Sequence, residues 1–423
     1  MINLYIIDNK ANRSSIFGIG TYINQMELIL QQSNLNVCFI HLNADSQRFF
    51  REVENYIEHW YIPYPKVKYK DEGKHNKLYF QNVLFLLRLH IQQTDNLIFH
   101  LNYLKHKSFV EELKMVFNCK IIIAVHYFAW CFDIMGNVSR LKSILGKPDA
   151  ELDQLGRQVK KSFNEEKELV CSVDKVLSLS KNTAKILQNL YQVKKQNISI
   201  IYNGLEDKAP KYVDREMIRK KYNLPVEAPV IIFAGRLDPV KGLSYFIQAL
   251  KKILNQFSNC QIVIAGSGDY DACMKACENR WMNIHFTGLL EKSELYELYS
   301  IADFGVMPSL HEQCSYVAIE MMMHGLPIIA SNSTGLSEMI DEGVTGFHVQ
   351  VLEFPDKTEI DTSMLEEKIF FLLQHLEECK FMRINARRRY ETTYSFKLFR
   401  KNMLAFYRSL AYKKDANCSS IAI

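Results

Sequence analysis

Asp303–Val349 reads DFGVMPSLHEQCSYVAIEMMMHGLPIIASNSTGLSEMIDEGVTGFHV. Phe304 to Met307 is a short apolar run, the pattern of a strand buried on both faces of a parallel sheet. The loop Pro308 to Gln313 leaves its carboxyl end. A helix is predicted over Ser315 to His324, stopped by Gly325, with Pro327 two residues on. Leu326 to Ala330 is the next strand, so the stretch predicts an α/β fold. Two carboxylates, Glu312 and Glu320, stand eight positions apart. Glu312 falls in the loop at the strand's carboxyl end, where open α/β sheets bind ligands. Glu320 falls inside the helix, whose N-terminus offers unpaired N–H groups to a phosphate or a developing anion. Carboxylates accept hydrogen bonds from vicinal hydroxyls, so the pair suits a polyhydroxylated ligand. Taken alone, the spacing fits as well a helix-start carboxylate and a second on a solvated face.

The chain around this stretch has 423 residues, 48% of them hydrophobic, enough for two domains with separate cores. A net charge of +5 is too mild for a nucleic-acid partner and agrees with an anionic ligand or an anionic membrane surface. The ten cysteines form no CxxC pair. Cys273 and Cys277 share a helix face but lack further ligands for zinc, and free thiols in a reducing cytosol are the simpler reading. Met1-Ile2-Asn3-Leu4 leads straight into a strand with no secretory leader, and no run of about 18 apolar residues is present to span a membrane.

Outward from there, short apolar strands are predicted at Leu4 to Ile7, Val37 to His41, Leu97 to Leu101, Ile121 to Val125, Lys175 to Leu179 and Ile198 to Ile201. Helices are predicted over Lys77 to Gln92, Lys107 to Phe117, Gly156 to Val170 and Lys181 to Tyr191, the last capped by Ser180. Asp45 to Gly73 lacks periodicity and reads as loops with a short strand or helix. Asp133 to Glu168 reads equally as an acceptor-side docking element or a solvated helix pair. Gly18 and Gly20 fall in the loop after the first strand, where glycine lets backbone approach a ligand. His126 ends the strand IIIAV, a place for a ligand contact or for a structural histidine. Glu206 to Asp214, charged and containing Pro210, reads as a linker.

The second half opens with the strand Val230 to Ala234 and the loop Gly235-Arg236-Leu237-Asp238-Pro239-Val240-Lys241-Gly242. The fork of Arg236 and the point charge of Lys241 beside a helix start suit a diphosphate. Asp269-Tyr270-Asp271 sits where acidic residues favour a helix start, and no metal is predicted there. Gly288-Leu289-Leu290 follows the strand Ile284 to Thr287 and could meet a base through backbone groups. Helices are predicted over Ser363 to Leu376 and Glu378 to Tyr390. The last, Ser395 to Tyr412, is amphipathic and reads as an interdomain latch, with lipid contact through Lys397, Arg400, Lys401 and Arg408 as the alternative.

The succession E-x7-E, G-x-P, T-G-L-x-E and E-G-x-T-G over Glu312 to Gly346, with G-R-x-x-x-x-K-G at Gly235 to Gly242, resembles the signature of family 4 retaining glycosyltransferases. That resemblance implies a GT-B fold: two Rossmann-like parallel-sheet domains facing a cleft, with a C-terminal helix crossing back. Residues 1–207 with 395–423 would form the acceptor-side domain and 208–394 the nucleotide-sugar domain. It implies a hexosyltransferase-type enzyme that uses a UDP, GDP or ADP sugar and a hydroxyl acceptor on a glycan, lipid-linked sugar or peptide. No cofactor, metal or nucleic acid is implied, and the location is cytoplasmic or peripheral at the inner membrane face. Carried onto this chain, Arg236 and Lys241 hold the diphosphate, Glu312 the transferred sugar and Glu320 the ribose. Gln313, Cys314 and Ser315 offer amides, His126 touches the sugar, Gly18 and Gly20 face the phosphates, and Gly288 and Leu289 meet the base. Gln313, Ser315 and Thr334 depart from frequent Pro or Gly in that family, which bears on the donor sugar. A nucleotide-sugar epimerase, a sugar phosphorylase and a non-catalytic glycan-binding module are the alternatives on the same fold.

Overall fold

A computed structural model describes residues 2–9, 18–64, 72–93, 96–102 and 106–411. Its first half runs β1 (Asn3–Asn9), α1 (Gly18–Gln31), β2 (Asn36–Ala44), β3 (Phe50–Glu54), β4 (Ile57–Pro63), α2 (Glu72–His90), β5 (Leu97–Leu101), α3 (Lys107–Val116) and β6 (Cys119–Val125). It continues through α4 (Trp130–Asp133), α5 (Val138–Gly146), α6 (Gln154–Ser172), β7 (Lys175–Ser178), α7 (Lys181–Asn189) and β8 (Ile198–Ile200). These strands form one sheet in the order β3-β4-β2-β1-β5-β6-β7-β8. All neighbours are parallel except the hairpin β3–β4.

The second half runs α8 (Arg215–Lys221), β9 (Val230–Ala234), α9 (Leu243–Gln256), β10 (Gln261–Ala265), α10 (Tyr270–Cys277), β11 (Ile284–Gly288), α11 (Lys292–Ile301), β12 (Phe304–Met307) and α12 (Tyr316–Met323). Then come β13 (Ile328–Ser331), α13 (Leu336–Met339), β14 (Gly346–Val349), the small hairpin β15 (Val351–Glu353) and β16 (Thr358–Ile360), α14 (Thr362–Gln374), α15 (Leu376–Arg389) and α16 (Phe396–Leu410). Its sheet has the order β11-β10-β9-β12-β13-β14. Every pairing is parallel, and β9, β10, β12 and β13 are buried along their whole length, as the apolar runs require. From β9 the chain winds outward to β11, then returns to β12 and winds the other way. The carboxyl ends of β9 and β12 therefore flank the point where the winding reverses, the ligand position in doubly wound sheets.

Two parallel-sheet α/β halves agree with the expected architecture. The C-terminal helix returns as read: a π-turn at Tyr390–Tyr394 redirects the chain, and α16 buries Phe399, Met403 and Tyr407. Tyr407 hydroxyl lies 2.6 Å from His100 Nδ1 in β5, Phe399 packs 5.8 Å from Tyr22 of α1, and Arg400 donates to Gln32 carbonyl at 2.9 Å. Its apolar stripe is thus spent on the first half. No helix among the described residues is long and apolar enough to cross a membrane.

Several expectations change. Asp45 to Gly73, read as loops with at most one short element, contains the hairpin β3–β4, and β4 joins the main sheet beside β2. Its turn, Asn55-Tyr56, has positive φ at both residues (50° and 67°), the geometry of a two-residue hairpin. The helix expected from Lys77 begins at Glu72. Gly18 and Gly20 lie in the first turn of α1, not in the preceding loop, because the apolar period that begins at Ile19 already buries that residue. The remainder of that loop, 10–17, lies outside the described residues.

Candidate functional site

The loop after β9 and the loop after β12 meet at the reversal point. Leu310 N donates to Val240 carbonyl at 2.7 Å. Gly242 has φ +69°, and a Cβ there would stand 2.0 Å from Pro308 carbonyl oxygen, so the close approach of the two loops needs glycine. Asp238 caps the short turn before α9 through Lys241 N at 3.2 Å and pairs with Arg236 at 2.9 Å. Lys241 Nζ forms an ion pair with Glu312 Oε1, and Ser309 hydroxyl lies 3.4 Å from the same oxygen. The cation and acid predicted from separate motifs are thus direct partners, both mostly buried. Arg236 also places its guanidinium 5.9 Å from the ring of Phe132, a residue of the first half.

Gly335 holds the Glu312 loop from below. Its N–H donates to Glu312 carbonyl at 2.7 Å, and a Cβ on it would stand 1.7 Å from Gln313 carbonyl oxygen. Thr334 hydroxyl lies 2.9 Å from His311 Nδ1. Burial and the neighbouring Lys241 push the His311 pKa down to about 4, so it is neutral beside the ion pair.

Gln313, Cys314 and Ser315, expected to offer amides, spend other groups on structure. Gln313 Oε1 accepts from Thr183 hydroxyl at 2.7 Å and Cys314 carbonyl from Asn203 Nδ2 at 2.9 Å, both partners from the first half. Ser315 is the N-cap of α12, accepting from Ala318 N at 3.4 Å.

Glu320 departs from its expected openness. Its carboxylate is fully buried, paired with Lys292 Nζ and 3.4 Å from Tyr299 hydroxyl. Burial raises its pKa while Lys292 opposes the shift. Lys292 itself is 56% exposed and lies just past Gly288 and Leu289; no motif singled it out. Gly288 has φ +75° and Leu289 is exposed, so that turn presents itself to solvent.

His126 lies at the end of β6. Its Nε2 is 3.0 Å from Asn102 Oδ1 at the end of β5, and its ring packs edge-on to Tyr22 at 4.6 Å. Burial pushes its pKa down to about 3. No described hydrogen bond joins it to Lys241 or Glu312. Gly18 and Gly20 sit in α1 on the same side, and Tyr22 on that helix shares one buried cluster with Tyr316 of α12, across the two halves. Asp269 accepts from Ala272 N at 3.0 Å, the helix-start role read from sequence.

Sequence reasoning also missed the fastenings between halves. Two helices of the first half present their N-termini to glutamates of the second. Val138 N and Ser139 N of α5 each donate to Glu353 at 3.0 Å, while Asn137 caps Arg140 N at 2.7 Å. Lys181 N and Asn182 N of α7 donate to Glu338 at 3.0 and 2.9 Å, while Ser180 caps Thr183 N at 3.1 Å. Tyr202 hydroxyl adds a bond to Glu338 at 2.8 Å. The segment read as an acceptor-side element or a solvated helix pair is fastened to the second half through α5.

Against known proteins, residues 214–389 match the family Glycosyl transferases group 1. An uncharacterized glycosyltransferase of Methanocaldococcus jannaschii is 31% identical over 183 residues, 41% of this chain and 46% of that protein. The chain spans less than half the length of the first curated relatives it matches. Among solved structures, sucrose-phosphate synthase of Thermosynechococcus elongatus superposes over 97% of this chain and 99% of its own, with TM-score 0.74 and 19% identity. The Anabaena protein HepE, solved in complex with UDP, superposes over 97% and 100%, with TM-score 0.69 and 13% identity. These likenesses establish the GT-B fold.

Proposed function

We propose, for a chain whose residues 214–389 match the family Glycosyl transferases group 1, that it moves a sugar from a nucleotide-diphospho-sugar to a hydroxyl acceptor in glycan or glycoconjugate synthesis. The observation that carries this reading is the Lys241–Glu312 pair at the reversal point of the second sheet, with Arg236 beside it. A diphosphate leaving group takes the cations of Arg236 and Lys241 as its charge develops, the type of fixed electrostatic stabilisation that contributes most in many enzymes. Glu312, released from Lys241, accepts from hydroxyls of the transferred sugar. Lys292 moves off Glu320 to let that carboxylate accept from the ribose. The Asn102 bond makes Nε2 of neutral His126 the donor and leaves Nδ1 to accept a sugar hydroxyl proton from the first half. The donor is a UDP, GDP or ADP sugar, a class supported by the UDP complex of HepE, and transfer with retention of configuration is supported by the E-x7-E resemblance. The protein acts in the cytoplasm and needs no metal for transfer.

The test is turnover by the purified full chain with UDP-, GDP- and ADP-sugars, read as transfer or donor hydrolysis. Lys241→Ala and Glu312→Gln are expected to lower kcat by roughly 10²–10³. The reading fails if no donor is turned over and none raises the melting temperature, or if Glu312→Gln keeps full activity. Sugar release that depends on orthophosphate would replace transfer by phosphorolysis.

A further inference from the structure

Apart from that site, Asp8 of β1, His41 of β2 and His59 of β4 stand on one sheet face. The register sets them there: Asp8 is opposite His41, and His59 is opposite Phe39, two residues before His41. His41 Nδ1 lies 2.6 Å from Asp8 Oδ1, and His41 Nε2 lies 3.1 Å from His59 Nδ1. Both rings are 3% exposed. An ionised carboxylate only accepts, so His41 carries its proton on Nδ1. With His41 neutral, its Nε2 then accepts from His59 Nδ1–H. The relay leaves His59 Nε2 with a bare lone pair, and that atom is buried without a hydrogen-bond partner among the described residues.

Two carboxylates converge on the same ring. One ligand-capable atom each from His59, Glu27 of α1 and Glu54 of β3 lies within 4.8 Å of the others. Glu27 also accepts from Gln31 Nε2 at 3.1 Å, and Glu54 stands at the end of β3, where the Asn55-Tyr56 turn begins. A lone pair and two carboxylates gathered this closely repel one another, and a cation among them relieves that repulsion. We propose that His59, Glu27 and Glu54 bind a divalent first-row metal ion of the zinc class. One imidazole nitrogen and two carboxylate oxygens are within the usual ligand set of Zn²⁺. Metal–ligand bonds of about 2.0–2.2 Å require the two glutamate side chains to draw in by roughly an ångström. Asp8 and His41 serve as positioning residues, since metal-ligating histidines commonly give their other N–H to a carboxylate or similar acceptor. The ion fastens α1, which carries Gly18, Gly20 and Tyr22, to the hairpin at the sheet edge. It stands apart from the transfer chemistry and holds whether or not the donor reading does.

The full chain, stripped with chelator, is titrated with Zn²⁺ by calorimetry and by thermal shift. One site per chain and a raised melting temperature are expected. Glu54→Gln, at an exposed turn where folding is not at stake, is expected to weaken binding at least about tenfold, and Glu27→Gln with Glu54→Gln to abolish it. Co²⁺ in the same site should show no thiolate charge-transfer band. Absence of binding below about 10 µM Zn²⁺ overturns the proposal, and so does undiminished binding in the double variant, which would place the ion on cysteines.

Discussion

Lys292 covers a carboxylate that pairs with no other cation among the described residues. Glu320 is fully enclosed, and burial already raises its pKa against the opposing lysine. Lys292→Ala is therefore expected to lower stability by about 1–3 kcal/mol, less than a deeply buried pair because the lysine is half exposed. A carboxyl whose folded pKa is raised stabilises the fold fully below the ordinary carboxylate range and loses that stability as pH rises through its folded value. The loss in Lys292→Ala should thus be larger at pH 8 than at pH 5, measured by urea unfolding. Glu166 obeys the same sign more sharply. Burial lifts its pKa to about 7, although Ala129 N at 2.8 Å and Tyr191 hydroxyl at 2.7 Å favour the ionised form. Between about pH 4.5 and 7 the native chain should lose about 3 kcal/mol through this one group. Glu166→Gln keeps the shape and should flatten that part of the stability–pH curve. A curve of unchanged slope in the variant would remove Glu166 as its source. At this scale Arg236, Lys241 and Glu312 were legible because each stands in a contiguous string. Lys292, Asn102 and Glu166 were not, because their partners are 28, 24 and 25 residues away and only the folded chain introduces them.

Strands and helices were legible wherever burial is uniform. β9, β12 and β13 are buried throughout, and α16 repeats its buried positions at helical spacing. β3 was not, because an edge strand with four of its five residues exposed carries no apolar alternation, and its turn uses Asn-Tyr where Asn-Gly is the familiar signal. The loops of the site depend on two glycines for different reasons. Gly242 needs a positive φ as well as room, whereas Gly335 has an ordinary helical φ of −77° and needs room alone. Thr334 has no positive φ and turns its hydroxyl to His311, whereas a Cβ one residue later would meet the Gln313 carbonyl. Gly335→Ala would force the backbone of Glu312 and Gln313 outward, and a shift of about 1 Å at a reacting group can cost about 10²-fold. A drop of that size in kcat, with far-UV circular dichroism unchanged, is the expected result. Full activity in Gly335→Ala would mean that the Glu312 loop tolerates displacement.

At the scale of the whole molecule, the two halves hold one another by a repeated device. In α5 and in α7 the helix's own cap takes the third N–H, and a glutamate from the other half takes the first two. Each glutamate thereby faces the positive end of a helix dipole, so both bonds are charge-assisted. Glu338 belongs to the T-G-L-x-E string, and its interdomain role could not be read from it, since nothing in a sequence says which helix end a carboxylate will meet. The lower fastening, through α16, is independent of both: Tyr407 and Phe399 lie on the first half regardless. Removing the glutamates should therefore loosen the upper side, where the Thr183–Gln313 and Asn203–Cys314 bonds remain, while the hinge side stays joined. Loss of a cap costs about 0.5–2 kcal/mol, so Glu338→Ala with Glu353→Ala should shift the balance toward an open form by about tenfold or more. Small-angle X-ray scattering of the double variant is expected to give a larger radius of gyration than the native chain, and a nucleotide diphosphate that bridges the halves should reduce it again. An identical radius for variant and native protein would show that the packed interface, and not these two carboxylates, decides how far the halves stand apart.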